Sequence, residues 1–207
     1  MVLLFSLNLM ESSMKKLLFS LLTIIALNAT ETSNRWIEKY IATIPDFPKP
    51  GVQFKWYPDL LKNPEAFHKV IKTFADRYRN FNLDAIVGLD SRGFIFGTAL
   101  AYEMNLPFVM VRKAGKLPRK VEKIDYALEY GKTSFEIEVD SIHPGDRVLI
   151  VDDLLATGGT AAAAATLIER LGGKVVEVAC LIELEGLQGR AKLNRSFYSL
   201  ISIEVDE

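Results

Sequence analysis

The run Val148-Leu-Ile-Val-Asp-Asp-Leu-Leu-Ala-Thr-Gly-Gly-Thr160 constrains the fold more than any other stretch of the chain. Four β-forming residues lead into two adjacent carboxylates, then into a short loop of small and hydroxyl residues, then into an alanine-rich segment beginning near Thr160. That order predicts a buried strand, a loop at its carboxyl end and a helix. Such units assemble into open α/β sheets, whose ligands sit at the carboxyl ends of the strands.

The rest of the body continues the alternation. Apolar spacing predicts a helix over 34–43, a short strand over 52–57 and a helix over 64–80 with Pro64 in its first turn. A strand over 83–89, the loop Asp90-Ser-Arg-Gly93 and a helix over 94–104 repeat the strand–loop–helix pattern. Further strands are expected at 107–112, 147–151, 174–182 and 197–204, with an antiparallel pair at 125–130 and 133–139 around Gly131-Lys132. Residues 113–124 are basic and lack apolar periodicity, so they read as a mobile loop. Helices are expected at 160–171 and, briefly, at 186–192. Strands alternating with helices mean an α/β fold, a mainly parallel twisted sheet flanked by helices.

The two polar loops suggest the ligand. Gly158 and Gly159 permit backbone geometries that bring several N–H groups onto one anion, the helix start adds partial positive charge, and Thr157 and Thr160 offer hydroxyls. Asp152 and Asp153 repel phosphate; they suit neutral donors such as the two hydroxyls of a ribose, or the water shell of Mg²⁺. A phosphate beside a diol is a ribose 5-phosphate. Arg92 offers a planar fork for a second phosphate group or a base. The bland alternatives are a solvated turn for the acidic pair and a surface arginine for Arg92. A Walker A loop is excluded: Gly131-Lys132-Thr133 lacks the glycine required at position 126, which is Tyr. No Gly-x-Gly-x-x-Gly occurs, so a dinucleotide fingerprint is missing as well.

With 207 residues and a net charge of −1, the chain suits one domain and shows no basic excess for nucleic acid. The single cysteine, Cys180, lies in an apolar run and reads as core. His68 and His143 lack ligand spacing and read as surface or structural. Residues 14–29 resemble a secretory signal: Met14-Lys-Lys, an apolar run of eleven residues, then small polar residues. The chain is therefore divided into a leader over 1–33, signal-like or an extra helix, and a single catalytic domain over 34–207. The true start is either Met1 or Met14.

Five segments together resemble the adenine phosphoribosyltransferase family, within the type I phosphoribosyltransferases. They are Phe47-Pro-Lys-Pro-Gly-Val-Gln-Phe54, Gly88-Leu-Asp-Ser-Arg-Gly-Phe94, Val111-Arg-Lys-Ala-Gly-Lys-Leu-Pro118, Leu128-Glu-Tyr-Gly131 and Val151–Thr160, in the family's order over roughly residues 35–203. The resemblance implies conversion of adenine and phosphoribosyl diphosphate (PRPP) to AMP and diphosphate, with Mg²⁺ held mainly through PRPP and water and facing Asp152 and Asp153. It implies a hood over the base from about 44 to 60, with Val52, Gln53, Phe54 and Lys55 around adenine. Phe54 stacks on the purine, and backbone groups of Gln53 and Lys55 read its edge. PRPP and AMP fall to Asp90, Ser91, Lys113, Lys116, Asp152, Asp153, Ala156, Thr157, Gly158, Gly159 and Thr160. Glu129 and Arg92 are the implied catalytic residues, Arg112 faces a partner in a homodimer, and the mature body is cytoplasmic with no membrane association. The chain departs from the family at Trp56-Tyr57, where an Asp and a β-branched residue are usual. The alternatives are a transferase for another purine, a non-catalytic PRPP-binding regulator, and an exported protein with another role.

Overall fold

A computed structural model describes residues 34–128 and 131–205. The chain divides after Lys39 into two units. A 3₁₀ helix, Arg35–Tyr40, replaces the longer helix expected over 34–43, and strand β1 (Ala42–Ile44) follows it. Thr43 and Ile44 are β-branched, and Pro45 pushes the residue before it toward extended backbone, so helix cannot continue there.

In the second unit β1 pairs antiparallel with β2 (Phe54–Trp56), with Ile44 opposite Phe54 and Ala42 opposite Trp56. A five-residue helix, α1 (Pro58–Lys62), was not expected; Pro58 opens it. Helix α2 (Pro64–Tyr78) starts where sequence placed it: the Asn63 Oδ1 accepts the Ala66 N–H at 2.9 Å. Its apolar face buries Val70, Ile71, Phe74 and Tyr78.

The main sheet has the order β5-β6-β4-β3-β7-β8-β9. Its strands are β3 (Ala85–Leu89), β4 (Phe108–Lys113), β5 (Val121–Leu128), β6 (Gly131–Glu138), β7 (Arg147–Leu155), β8 (Lys174–Leu184) and β9 (Phe197–Ile203). β4, β3, β7, β8 and β9 run parallel, while β6 is antiparallel to both β4 and β5. Helices α3 (Gly93–Met104), α4 (Gly159–Arg170) and α5 (Gly189–Leu193) complete the body. Ala85, Val87 and Leu89 of β3 join one apolar cluster with Ala164, Ala165, Leu167 and Ile168 of α4, whereas Ile86, buried between them in sequence, serves the opposite face. Each fully buried Leu, Ile or Val contributes about 1.5–3 kcal/mol.

Two expectations are corrected. The basic segment is open only over 114–120, because β5 already begins at Val121. As the sheet's edge strand it tolerates the charges Glu122, Lys123 and Asp125, which obscure apolar periodicity. β7 runs on past Val151, so both carboxylates lie on the strand and not in the loop; β8 extends alongside, and the pairing reaches Leu155 opposite Glu183.

Outside the site, one buried carboxylate joins two elements. The Glu177 carboxylate on β8 accepts from Arg77 Nη2 at 2.9 Å, Tyr78 Oη at 2.7 Å and Ser196 Oγ at 2.6 Å, fastening α2 to the sheet. Among the described residues no helix is long and apolar enough to cross a membrane. From β3 the chain moves outward to β4, then returns to β7 on the other side of β3. The switch point therefore falls between β3 and β7, where an open parallel sheet leaves a crevice.

Candidate active site

The crevice is a cavity of about 270 Å³ walled by the ends of β3 and β7. Asp90, Ser91, Arg92 and Lys113 line one side, and Asp152, Asp153, Ala156, Thr157, Gly158 and Thr160 the other. Sequence reasoning placed all ten at the ligand. Gly159 is the first residue of α4 and lies outside the cavity wall, as does Lys116.

Two glycines make this geometry possible. Gly158 has φ +82°, and a Cβ there would collide with the carbonyl oxygen of Gly189 at the start of α5. Gly93 opens α3 so close to β7 that a Cβ would lie 2.7 Å from the Val151 carbonyl oxygen and 2.9 Å from Asp152 Oδ1. Left-handed backbone costs an L-residue about 1–2 kcal/mol, so Gly158→Ala should weaken PRPP binding about tenfold or more once the collision is added. The measurement is KM for PRPP against KM for adenine; equal values to wild type would mean the loop does not hold substrate.

The charges are arranged in two groups. Asp153 is buried; its Oδ2 accepts from Tyr57 Oη at 3.0 Å and forms an ion pair with Arg92, whose Nε lies 3.0 Å away. Burial, and then the Asp153 charge, push the Tyr57 hydroxyl far above the ordinary tyrosine range, so it is a neutral donor. Asp152 Oδ1 accepts the Asp153 N–H at 2.9 Å. Desolvation first and the neighbouring Asp153 second raise the Asp152 carboxyl well above the usual carboxylate range. In the other group, Asp90 Oδ2 faces Arg112 Nε at 3.2 Å, Lys116 Nζ at 3.6 Å and the Lys113 N–H at 3.4 Å. The Asp90 carboxylate thus gathers cations at the mouth of β3, and its side chain is spent on them. Arg112, expected to face a partner, is paired within its own chain.

The Asp152 shift has a stability consequence. A carboxyl whose folded pKa exceeds its unfolded value binds more protons when folded, so stability falls as pH rises from the unfolded value toward the folded one, and is flat above. Asp152→Asn removes that loss. The variant should melt higher than wild type at neutral pH, by about 2–4 °C per kcal/mol relieved, with the gain vanishing below the ordinary carboxylate range. Melting curves across pH check this, and a lower melting temperature at neutral pH contradicts it.

The hood residues stand beside the cavity. The outer edge of β2 has no strand partner among the described residues, leaving backbone groups free to meet a ligand. Phe54 packs with Phe47 at 5.1 Å and with Trp56 at 6.1 Å between ring centroids, and the Arg92 guanidinium sits 5.3 Å from the Phe54 ring centre. Lys55 points the other way: its side chain is buried and its Nζ donates to Thr43 Oγ1 at 3.0 Å. Val52 and Gln53 precede β2 and do not line the cavity.

Sequence reasoning missed four residues. Tyr57 was noted only as a departure from a family pattern. Tyr126 and Phe135 line the cavity from β5 and β6, with ring centroids 5.0 Å apart. Cys180, buried on β8 opposite Asp152, closes the floor, and burial pushes its thiol up, so it stays protonated. The only available signal was the alternation Ile124, Tyr126 on β5, which puts Tyr126 on the inward face. Glu129 and the leader over 1–33 lie outside the described residues.

A parallel sheet with an acidic strand end, a left-handed glycine loop and an arginine loop around one crevice defines a phosphoribosyltransferase site. A family model, the phosphoribosyl transferase domain, matches residues 57–207. An adenine phosphoribosyltransferase from Marinobacter nauticus is 49% identical over 173 residues, covering 82% of this chain and 96% of the relative. The crystal structure of adenine phosphoribosyltransferase from Thermoanaerobacter pseudethanolicus superposes with a TM-score of 0.80 at 46% identity, covering 82% of this chain and 99% of that one. The Saccharomyces cerevisiae adenine phosphoribosyltransferase, complexed with an imino-altritol bisphosphate and adenine, gives 0.78 at 40% identity, covering 82% and 98%. The chain belongs to the adenine phosphoribosyltransferase family of the phosphoribosyltransferases.

Proposed function

We propose that this enzyme is a pentosyltransferase of purine salvage that transfers the phosphoribosyl group of PRPP to N9 of adenine, releasing diphosphate and AMP. One observation carries the reading: a single crevice joins the acidic end of β7, the Gly158 loop and Arg92. The loop from Ala156 to Thr160 takes the 5′-phosphate on backbone N–H groups and the hydroxyls of Thr157 and Thr160. Asp152 and Asp153 accept from the ribose hydroxyls.

As the C1′–O bond breaks, the ribose becomes oxocarbenium-like and the leaving diphosphate gains charge. Arg92, with Ser91, Lys113 and Lys116 around it, stabilises that charge through preorganised electrostatics. The open segment 114–120 closes over the crevice and excludes water, which would otherwise capture the same intermediate. Glu129 is the acid at the purine. Among the described residues no three carboxylate, imidazole or thiol groups cluster as a metal cage, and Asp153 is already engaged by the Tyr57 hydroxyl and the Arg92 cation. That donor set fits Mg²⁺ bound mainly by substrate oxygens and water, with Asp152 and Asp153 facing it. When bound, the ion neutralises diphosphate charge.

Adenine presents a donor at N6 and an acceptor at N1, matching backbone C=O and N–H groups such as those of Gln53, just before β2, and Lys55 within it. A 6-oxopurine reverses the pattern and leaves buried groups unpaired, which gives strong rejection. The catalytic domain spans 34–207 and lies outside the leader. It works in the cytoplasm, where PRPP is made, as a homodimer; the exposed Ile95 and Tyr102 of α3 and Met110 of β4 supply apolar surface for a second copy. A spectrophotometric assay with adenine, hypoxanthine and guanine tests the reading. AMP formation from adenine alone supports it, faster turnover of a 6-oxopurine redirects it to another purine, and no turnover with any base leaves a PRPP-binding regulator.

A further inference from the structure

We infer that Tyr57 is a positioning residue that fastens the base-side ribbon to the ribose carboxylates and sets PRPP affinity in this chain. The inference rests on the PRPP reading above and goes beyond it, because it gives a role to a residue that lies outside the shared motifs.

The geometry is a closed circuit. Tyr57 follows β2 directly, so the ribbon that carries Phe54 also fixes the Tyr57 backbone. Its ring packs on Phe96 of α3 at 5.7 Å, and its hydroxyl donates to Asp153 Oδ2. The same oxygen holds Arg92, whose guanidinium returns to the Phe54 face. Holding one carboxylate oxygen by a hydrogen bond from Tyr57 and an ion pair with Arg92 fixes the plane of the group, and hence the direction in which its other oxygen can meet a ribose hydroxyl.

Tyr57 also answers a difficulty that Arg92 creates. Arg92 is paired with Asp153 here, yet it is the group assigned to the leaving diphosphate. When it turns toward that charge, Asp153 would be left buried without a partner, which is costly. Tyr57 is only 4% exposed, stays in place, and remains a donor to Asp153. It therefore lowers the cost of releasing Arg92 to the substrate.

The test is Tyr57→Phe, which keeps the ring against Phe96 and deletes one oxygen, compared with Asp153→Asn and the double variant. A lost hydrogen bond to a charged group predicts that Tyr57→Phe raises KM for PRPP about tenfold, while KM for adenine stays within about twofold. A residue that served only the fold would lower the melting temperature without separating the two KM values. If Tyr57 acts through Asp153, adding Tyr57→Phe to Asp153→Asn changes KM for PRPP by less than about twofold. An unchanged KM for PRPP in the single variant, or a further tenfold loss in the double variant, overturns the inference while the wild-type enzyme still uses PRPP. A wild type that does not use PRPP overturns the functional reading itself.

Discussion

Arg92→Met is expected to lower kcat about a hundredfold to a thousandfold, the usual effect of deleting one preorganised donor from a transition state. Arg92 stands just before α3, and its side chain is 43% exposed, so it is held by Asp153 on one side and open to the crevice on the other. An ion pair with one partner that exposed contributes little to stability. Asp153 also keeps the Tyr57 hydrogen bond in the variant. The loss should therefore appear in kcat at saturating substrates, with a cooperative melt close to wild type. Arg92→Lys should fall between, because an ammonium keeps the charge and loses the fork. Steady-state kinetics on the three proteins decide the matter; a Met variant with kcat within about threefold of wild type would remove Arg92 from the chemistry.

Glu129→Gln is the second large effect, about 10²–10⁴ in kcat with little change in PRPP affinity. Glu129 falls in sequence between the end of β5 at Leu128 and the start of β6 at Gly131. Its assignment comes from the segment Leu128-Glu-Tyr-Gly131 that the family shares. Protonating or hydrogen-bonding the purine N7 drains charge from the ring as N9 attacks. An amide can still donate a hydrogen bond but cannot deliver a proton, so a small loss would indicate hydrogen bonding and a large one proton transfer. PRPP binding measured by calorimetry separates the two substrates; a variant that turns over normally returns Glu129 to a structural role.

The elements that sequence placed well share a physical basis. α2 and α4 each present one apolar face at helical spacing, and α2 carries its own cap in Asn63. β3 is buried along its whole length and reads as an unbroken apolar run, and the apolar stretches Val148–Val151 of β7 and Val178–Ile182 of β8 are buried in the same way. β5 was legible only in part, since an edge strand takes its stability from pairing with β6 while its side chains remain charged. α1, five residues long, has too few turns to show a period.

The chemistry of the crevice divides the same way. Asp152, Asp153, Thr157, Gly158 and Thr160 are contiguous, so one strand and one helix start bring them together, and local sequence determines their spacing. The Asp90 and Arg92 loop could be read as a second anion site on the same grounds. What local sequence does not contain is the pairing across 96 positions that puts the Tyr57 hydroxyl on Asp153, or the pairing across 22 that puts Arg112 on Asp90. Hydrogen bonds between distant segments depend on sheet order and on how the β1–β2 ribbon meets α3, and only packing decides those. The residue types and their local geometry were written in the chain; which donor each buried acid received was settled when the sheet closed around the switch point.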